Sequence, residues 1–215
     1  MPRPVVFDLY NTLVDGADDE RDRVVADMAV LVGVAPAELV SLYHSTWRER
    51  LVRWNVEETL RILAGRLGAV PPEAAVARAA QLRRGLARRL LDTVSGETLS
   101  VLDALRAAGH RLALISNATS ETAEAWPSSR LAARFDAAVF SCETGLAKPD
   151  PAIYHVAAAR LGVPATECVF VGDGSDDELT GAAAAGMSVL RTTQFRDSAP
   201  QWTGPVVAAL SDLDA

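Results

Sequence analysis

The chain has 215 residues, 49% hydrophobic and 23% charged, with a formal net charge of -7. At this length about 70% of the unfolded chain's surface can be buried, so a hydrophobic core suffices without disulfide or metal staples. The negative balance argues against a nucleic-acid groove and against docking on anionic lipid, and no apolar run reaches membrane-spanning length.

Cys142 and Cys168 lack CxxC spacing and sit in or beside apolar runs. Buried free thiols in a reducing compartment are therefore expected. The first residues run straight into a strand, with no charged-then-apolar leader, which makes the cytoplasm the expected location.

Val5, Val6 and Phe7 are β-branched or aromatic and uninterrupted. They predict a short strand buried on both faces of a parallel sheet. The strand ends in Asp8, a carboxylate that costs several kcal/mol to bury unless something compensates it. Asn11 follows, a residue type that accepts a left-handed conformation, and Thr12 supplies a hydroxyl.

After a charged stretch at 18–23, apolar residues recur at helical spacing: Val24, Met28, Leu31 and Val32, then Leu39, Leu42, Tyr43 and Trp47. Residues 56–67 and 73–91 give two further stripes. The whole segment from 16 to 95 is read as an inserted all-helical cap, joined to the core through linkers at 14–17 and 92–96. The core is expected to comprise residues 1–15 and 96–215.

From residue 97 helices and strands alternate. A helix at 97–108 precedes a strand at 111–116. A helical segment runs from 119 towards 135, a strand covers 137–141, and a loop follows at 142–147. A helix at 151–161 takes Asp150 as N-cap and Pro151 at its first position. A strand at 168–172, a helix at 177–185 and a strand at 188–191 lead to a short amphipathic tail at 206–213. This alternation predicts a doubly wound parallel α/β sheet.

Three later strands also run into polar residues: Ser116-Asn117, Lys148-Pro149-Asp150, and Gly172-Asp173 through Asp177 and Glu178. In a parallel sheet these points share one edge with Asp8. Order and spacing of these four motifs, together with a helical insertion after the first, resemble the haloacid dehalogenase (HAD) superfamily. The resemblance implies a Rossmann-like core of strand order 3-2-1-4-5 and reaction through a covalent aspartyl intermediate.

The residue types suit those roles. A carboxylate nucleophile divides one difficult step into two, and Asp8 is the candidate. The Thr12 and Ser116 hydroxyls and the Asn117 amide can hold oxygens of a transferring group. Lys148, the one cation at a strand end, can offset charge on the nucleophile. Several carboxylates beside one lysine call for a hard cation, and Mg²⁺ uses one or two carboxylates while keeping waters. By resemblance the ligands are Asp8, the backbone carbonyl of Tyr10, Asp173, and Asp177 or Asp176. Asp176 and Glu178 can equally serve only the helix N-terminus.

Tyr10 departs from the phosphatase pattern, which has an acid/base Asp at that position; tyrosine there resembles the 2-haloacid dehalogenase branch. A tyrosine with a pKa of about 10 is a poor base at neutral pH. The acidic fourth motif points back to a metal-dependent phosphatase. Arg48 or Arg53, beside Trp47 and Trp54, could clamp a small anion. Asp15 is a weak surrogate acid, and His44, His110 and His155 lack metal-ligand spacing.

Three functions follow: Mg²⁺-dependent hydrolysis of a small phosphorylated metabolite, favoured here; metal-independent 2-haloacid dehalogenation; and a catalytically weak binding or assembly module. The expected partner is a small anionic substrate, with no nucleic acid and no membrane. Oligomeric state is not legible.

Overall fold

The computed structural model describes residues 2–213. β1 (Val5–Phe7) lies inside a six-stranded parallel sheet with β2 (Leu112–Ser116), β3 (Ala137–Phe140), β4 (Val169–Gly172), β5 (Ser188–Thr192) and β6 (Val206–Val207). The order is β3-β2-β1-β4-β5-β6, and every pair is parallel. Phe7 stands level with Leu114 and Val171. The motifs that follow these strands therefore emerge at one edge.

All three residues of β1 are buried, and they alternate between two cores. Val5 and Phe7 pack with Leu99, Leu102 and Leu105 of α6 (Gly96–Ala107), while Val6 packs with Ile153, Tyr154 and Ala157 of α9 (Pro151–Arg160). This two-sided burial is why the strand has no polar position until Asp8.

Between β1 and α6 come five helices: α1 (Asp18–Val32), α2 (Pro36–Ser45), α3 (Trp47–Val52), α4 (Val56–Arg66) and α5 (Glu73–Asp92). They gather a core of their own around Met28, Leu39, Leu60, Leu63 and Val76. Asn55 and Glu58 form a reciprocal cap at the start of α4, each side chain accepting from the other's backbone N–H at 2.9 Å. The last turns of α5 face both ways. Leu86 and Leu90 join the helical core, whereas Ala87 and Leu91 join the core beside β1.

Several expectations change. The helix expected from 119 is only α7 (Ser120–Ala125), followed by 3₁₀ turns Trp126–Ser128 and Ala132–Arg134. Pro127 has no N–H to continue the ladder. The loop at 142–147 begins as the single turn α8 (Ser141–Thr144), closed by Gly145 at φ 71°. The helix expected from 177 is α10 (Glu178–Ala184), because Asp176 and Asp177 both adopt left-handed backbone with φ 56°. The amphipathic tail at 206–213 takes two forms. It is the short strand β6 on the sheet edge and a 3₁₀ turn, Leu210–Asp212. Among the described residues no helix is long and apolar enough to cross a membrane. Both cysteines are free, and burial pushes the Cys142 thiol up to about 12.

Candidate active site

The chain leaves β1 into a tight turn in which Asn11 takes a left-handed φ of 62°. The N–H groups of Leu13 and Val14 donate to the Leu9 carbonyl at 2.8 and 3.1 Å. The Asn11 side-chain oxygen accepts from the Gly16 N–H at 2.9 Å, and a Cβ at Gly16 would stand 2.7 Å from that oxygen. The turn thus needs both residue types.

It places Asp8 at the sheet edge, 6% exposed, with Thr12 Oγ1 donating to its Oδ2 at 3.0 Å. Lys148 Nζ bridges two acids, donating to Asp8 Oδ1 and, at 2.5 Å, to Glu178 Oε2. Burial raises the Asp8 pKa and Lys148 opposes that rise. The two neighbouring carboxylates lift the lysine well above its ordinary value despite its own burial.

Glu178 is fully buried. Its Oε1 accepts from the Gly174 N–H at 2.9 Å, and burial together with Asp8 pushes its carboxyl up to about 8. A Cβ on Gly172 would stand 2.2 Å from that Oε1, so the glycine makes the room. Asp173 is also fully buried. It accepts from the Ser175 N–H at 3.1 Å, from Ser175 Oγ at 2.8 Å, from Ser198 Oγ, and from Arg196 Nε at 3.5 Å. Burial would raise its pKa, but the two hydroxyls outweigh it and hold the carboxyl below the ordinary range.

Asp8, Asp173 and Glu178 converge, with one ligand oxygen from each lying within 4.8 Å of the others. Asp177, expected as the fourth ligand, is instead exposed and lines a separate depression with Gly174 and Leu179. The left-handed turn at 176–177 carries Glu178 inward in its place. Glu178, read from sequence as part of the acidic knot or as merely favouring a helix end, lies at the centre of the cluster. Nor is Lys148 the one cation at the edge, since Arg196 reaches Asp173 from the segment after β5.

The remaining expected residues divide. Ser116 Oγ is buried with no hydrogen-bond partner among the described residues, and Ser116 borders the cavity. The Asn117 amide is already used. Its oxygen accepts from the Lys148 N–H at 2.8 Å, and its nitrogen donates to the Lys148 carbonyl at 3.1 Å and to Asp176 at 3.0 Å. Asn117 therefore fixes the lysine loop. The Tyr10 hydroxyl is bonded to Thr122 Oγ1 at 2.9 Å, and the Arg21 guanidinium sits 4.2 Å from its ring centre. Asp15 is exposed, its carboxylate accepting from the Ala17 N–H at 2.7 Å.

A cavity of about 340 Å³ runs from these residues to the helices inserted after β1, a size suited to a small molecule. Its far side carries Tyr43, Trp47, Arg50 and Arg83. Arg48 and Arg53, which could have clamped an anion or formed a solvated helix face, are exposed. Arg50 is buried and stacks on Tyr43, 3.6 Å from the ring centre. Arg83 pairs with Glu121 of α7 at 2.9 Å, both side chains buried. Burial raises Glu121, but Arg83 outweighs it and holds the carboxyl below its ordinary value. At the mouth His44 contacts Asp22 at 2.7 Å. Sequence offered no signal for the Arg83–Glu121 pair, whose members lie 38 residues apart.

A family model described as "haloacid dehalogenase-like hydrolase" matches residues 3–186. (S)-2-haloacid dehalogenase 1 of Pseudomonas sp. (strain CBS-3) is 30% identical, over 98% of this chain and 93% of that protein. Phosphoglycolate phosphatase of Salmonella typhimurium is 31% identical, over 86% of this chain and 78% of that protein. The structure of a HAD phosphatase from Thermococcus onnurineus superposes with a TM-score of 0.70 at 20% identity, covering 97% of this chain and 94% of that one. The last likeness concerns the fold alone.

Proposed function

Because the chain belongs to the haloacid dehalogenase-like hydrolases, we propose that it hydrolyses a small phosphorylated metabolite with Asp8 as nucleophile and Mg²⁺ as cofactor. The observation that carries this reading is the convergence of Asp8, Asp173 and Glu178, of which Asp8 and Glu178 line the floor of the cavity. The donor set is all oxygen and negatively charged, which fits a hard divalent cation. These three side chains would hold the ion, which when bound supplies positive charge beside the transferring group.

A carboxylate oxygen of Asp8 attacks phosphorus. The bond to the leaving oxygen breaks, and its electron pair departs with that oxygen. Water then attacks the aspartyl phosphate, freeing phosphate and restoring Asp8. Lys148 opposes the burial that disfavours the Asp8 carboxylate and holds it in place, and Thr12 orients it. The unpartnered Ser116 hydroxyl is free to donate to a phosphoryl oxygen. Tyr10 is tied to Thr122 and offers no carboxylic proton. The reaction therefore favours substrates whose leaving oxygen departs without strong acid assistance. The segment 16–95 acts as a cap hinged at 14–17 and 92–96, closing water out of the cavity.

A second reading, metal-independent attack of Asp8 on the carbon of a 2-haloacid with loss of halide, is favoured by Tyr10 and by the cover Arg196 and Ser198 already give Asp173. One experiment separates the two. Melting temperature and hydrolysis of a chromogenic aryl phosphate are measured with and without Mg²⁺, and halide release from 2-chloropropionate is measured in EDTA. Metal-linked stabilisation with phosphate release is expected. Halide release in EDTA without phosphatase activity overturns the first reading. Neither activity in a folded protein leaves a binding module.

A further inference from the structure

We infer that the cap end of the cavity is an anion site in which Arg50, stacked on Tyr43, receives a carboxylate carried by the substrate at the end remote from Asp8. The inference rests on the reading that this cavity holds the substrate, and it adds a substrate class: small acids in which a carboxylate accompanies the reacting group.

Arg50 is 3% exposed and borders the cavity. Its Nε and Nη2 both donate to the Tyr43 carbonyl, at 3.2 and 2.8 Å, which staples the α2–α3 junction. That role uses one edge of the guanidinium. Nη1 is buried with no hydrogen-bond partner, and Arg50 has no ion-pair partner among the described residues. A buried charge without a counter-charge is strongly unfavourable, so a purely structural arginine here would be an expensive solution.

The surroundings do not neutralise it. Burial disfavours the charge on Arg50 and Arg83 adds to that; Glu121 favours the charge but is itself bonded to Arg83. Arg50 and Arg83 both border the cavity, while Glu121 does not. Among buried groups the roof therefore carries two guanidinium groups against one carboxylate, with the half-buried Arg21 and Asp22 and the exposed Asp18 also bordering the cavity. A planar carboxylate suits the free edge of a guanidinium, and Tyr43 beneath fixes the plane in which it is met.

The test uses two ligands of similar size that differ by the carboxylate, phosphoglycolate and ethyl phosphate, titrated calorimetrically into the full chain with Mg²⁺ present. Wild type is expected to bind phosphoglycolate about tenfold or more tightly than ethyl phosphate. Arg50→Met is expected to remove most of that preference, and Arg50→Lys, which keeps the charge but loses the fork, to restore part of it. Equal affinities in wild type overturn the inference. So does Arg50→Met weakening both ligands by the same factor. If Arg50→Met does not fold, an unchanged preference in Arg50→Lys is the overturning result. Binding needs no turnover. Absence of hydrolysis alongside a carboxylate preference therefore sinks the phosphatase reading alone, and hydrolysis of both esters without preference sinks only the carboxylate site.

Discussion

The floor and the roof of the cavity carry opposite surpluses of buried charge. At the floor, Asp8, Asp173 and Glu178 face Lys148, with Arg196 reaching in at 3.5 Å. At the roof, Arg50 and Arg83 face Glu121. The floor has carboxylates to spare for a cation, and the roof has a guanidinium to spare for an anion. Neither cluster is balanced alone, and the space between them is the cavity. The difference shows how one fold divides the work. Strand ends concentrate buried acids, and the inserted helices carry the opposite surplus.

Removing an acid should therefore have opposite consequences at the two ends. At the floor, Asp8→Asn is expected to abolish hydrolysis, by at least about 10³-fold. It should not lower the melting temperature in metal-free buffer, because it relieves like-charge crowding. A variant that stays active, or that melts clearly lower, breaks the comparison. At the roof, Glu121→Gln leaves Arg83 buried and unpaired and is expected to cost about 3–5 kcal/mol, read from urea unfolding.

The same pair sets an acid limit. Arg83 holds Glu121 below its ordinary value of 4.5. A depressed carboxyl stabilises the fold above the unfolded pKa, and that contribution is lost as pH falls through the folded one. The stability difference between wild type and Glu121→Gln should thus be constant from about pH 7 to 5 and shrink below about pH 4.5. A difference that grows on acidification would show that the pair does not behave as an ion pair. The smallest effect belongs to Arg196, which is partly exposed and screened. Arg196→Gln is expected to tighten Mg²⁺ about two- to fivefold, measured by metal-dependent melting shifts, because it frees Asp173. Weaker Mg²⁺ binding would mean that Arg196 supports the site rather than competing for it.

How far the sequence could be read differs along the chain. β1 was legible because burial on both faces leaves Val5, Val6 and Phe7 no polar alternative, and Asp150 and Pro151 mark a helix start with specific backbone demands. The shift from Asp177 to Glu178 was not legible. It depends on two consecutive left-handed residues, Asp176 and Asp177, and neither is glycine. The form of the tail at 206–213 was not legible for a related reason. Its strand exists because β5 offers an unpaired edge, and two residues carry no periodicity. Arg48 and Arg53 lie on the same short stretch of chain as Arg50, but only Arg50 turns inward.

Local chemistry and spacing by themselves determined the parallel α/β core, the helical insertion, and the gathering of Asp8, Ser116, Lys148 and Asp173 at one edge, because strand ends in a parallel sheet must share a side. Which acid completes the cluster, which arginine faces the cavity, and that Arg83 meets Glu121 were decided only by tertiary structure. Those outcomes hang on backbone turns of a few residues and on contacts between segments far apart in the chain, where no periodicity or motif carries the information.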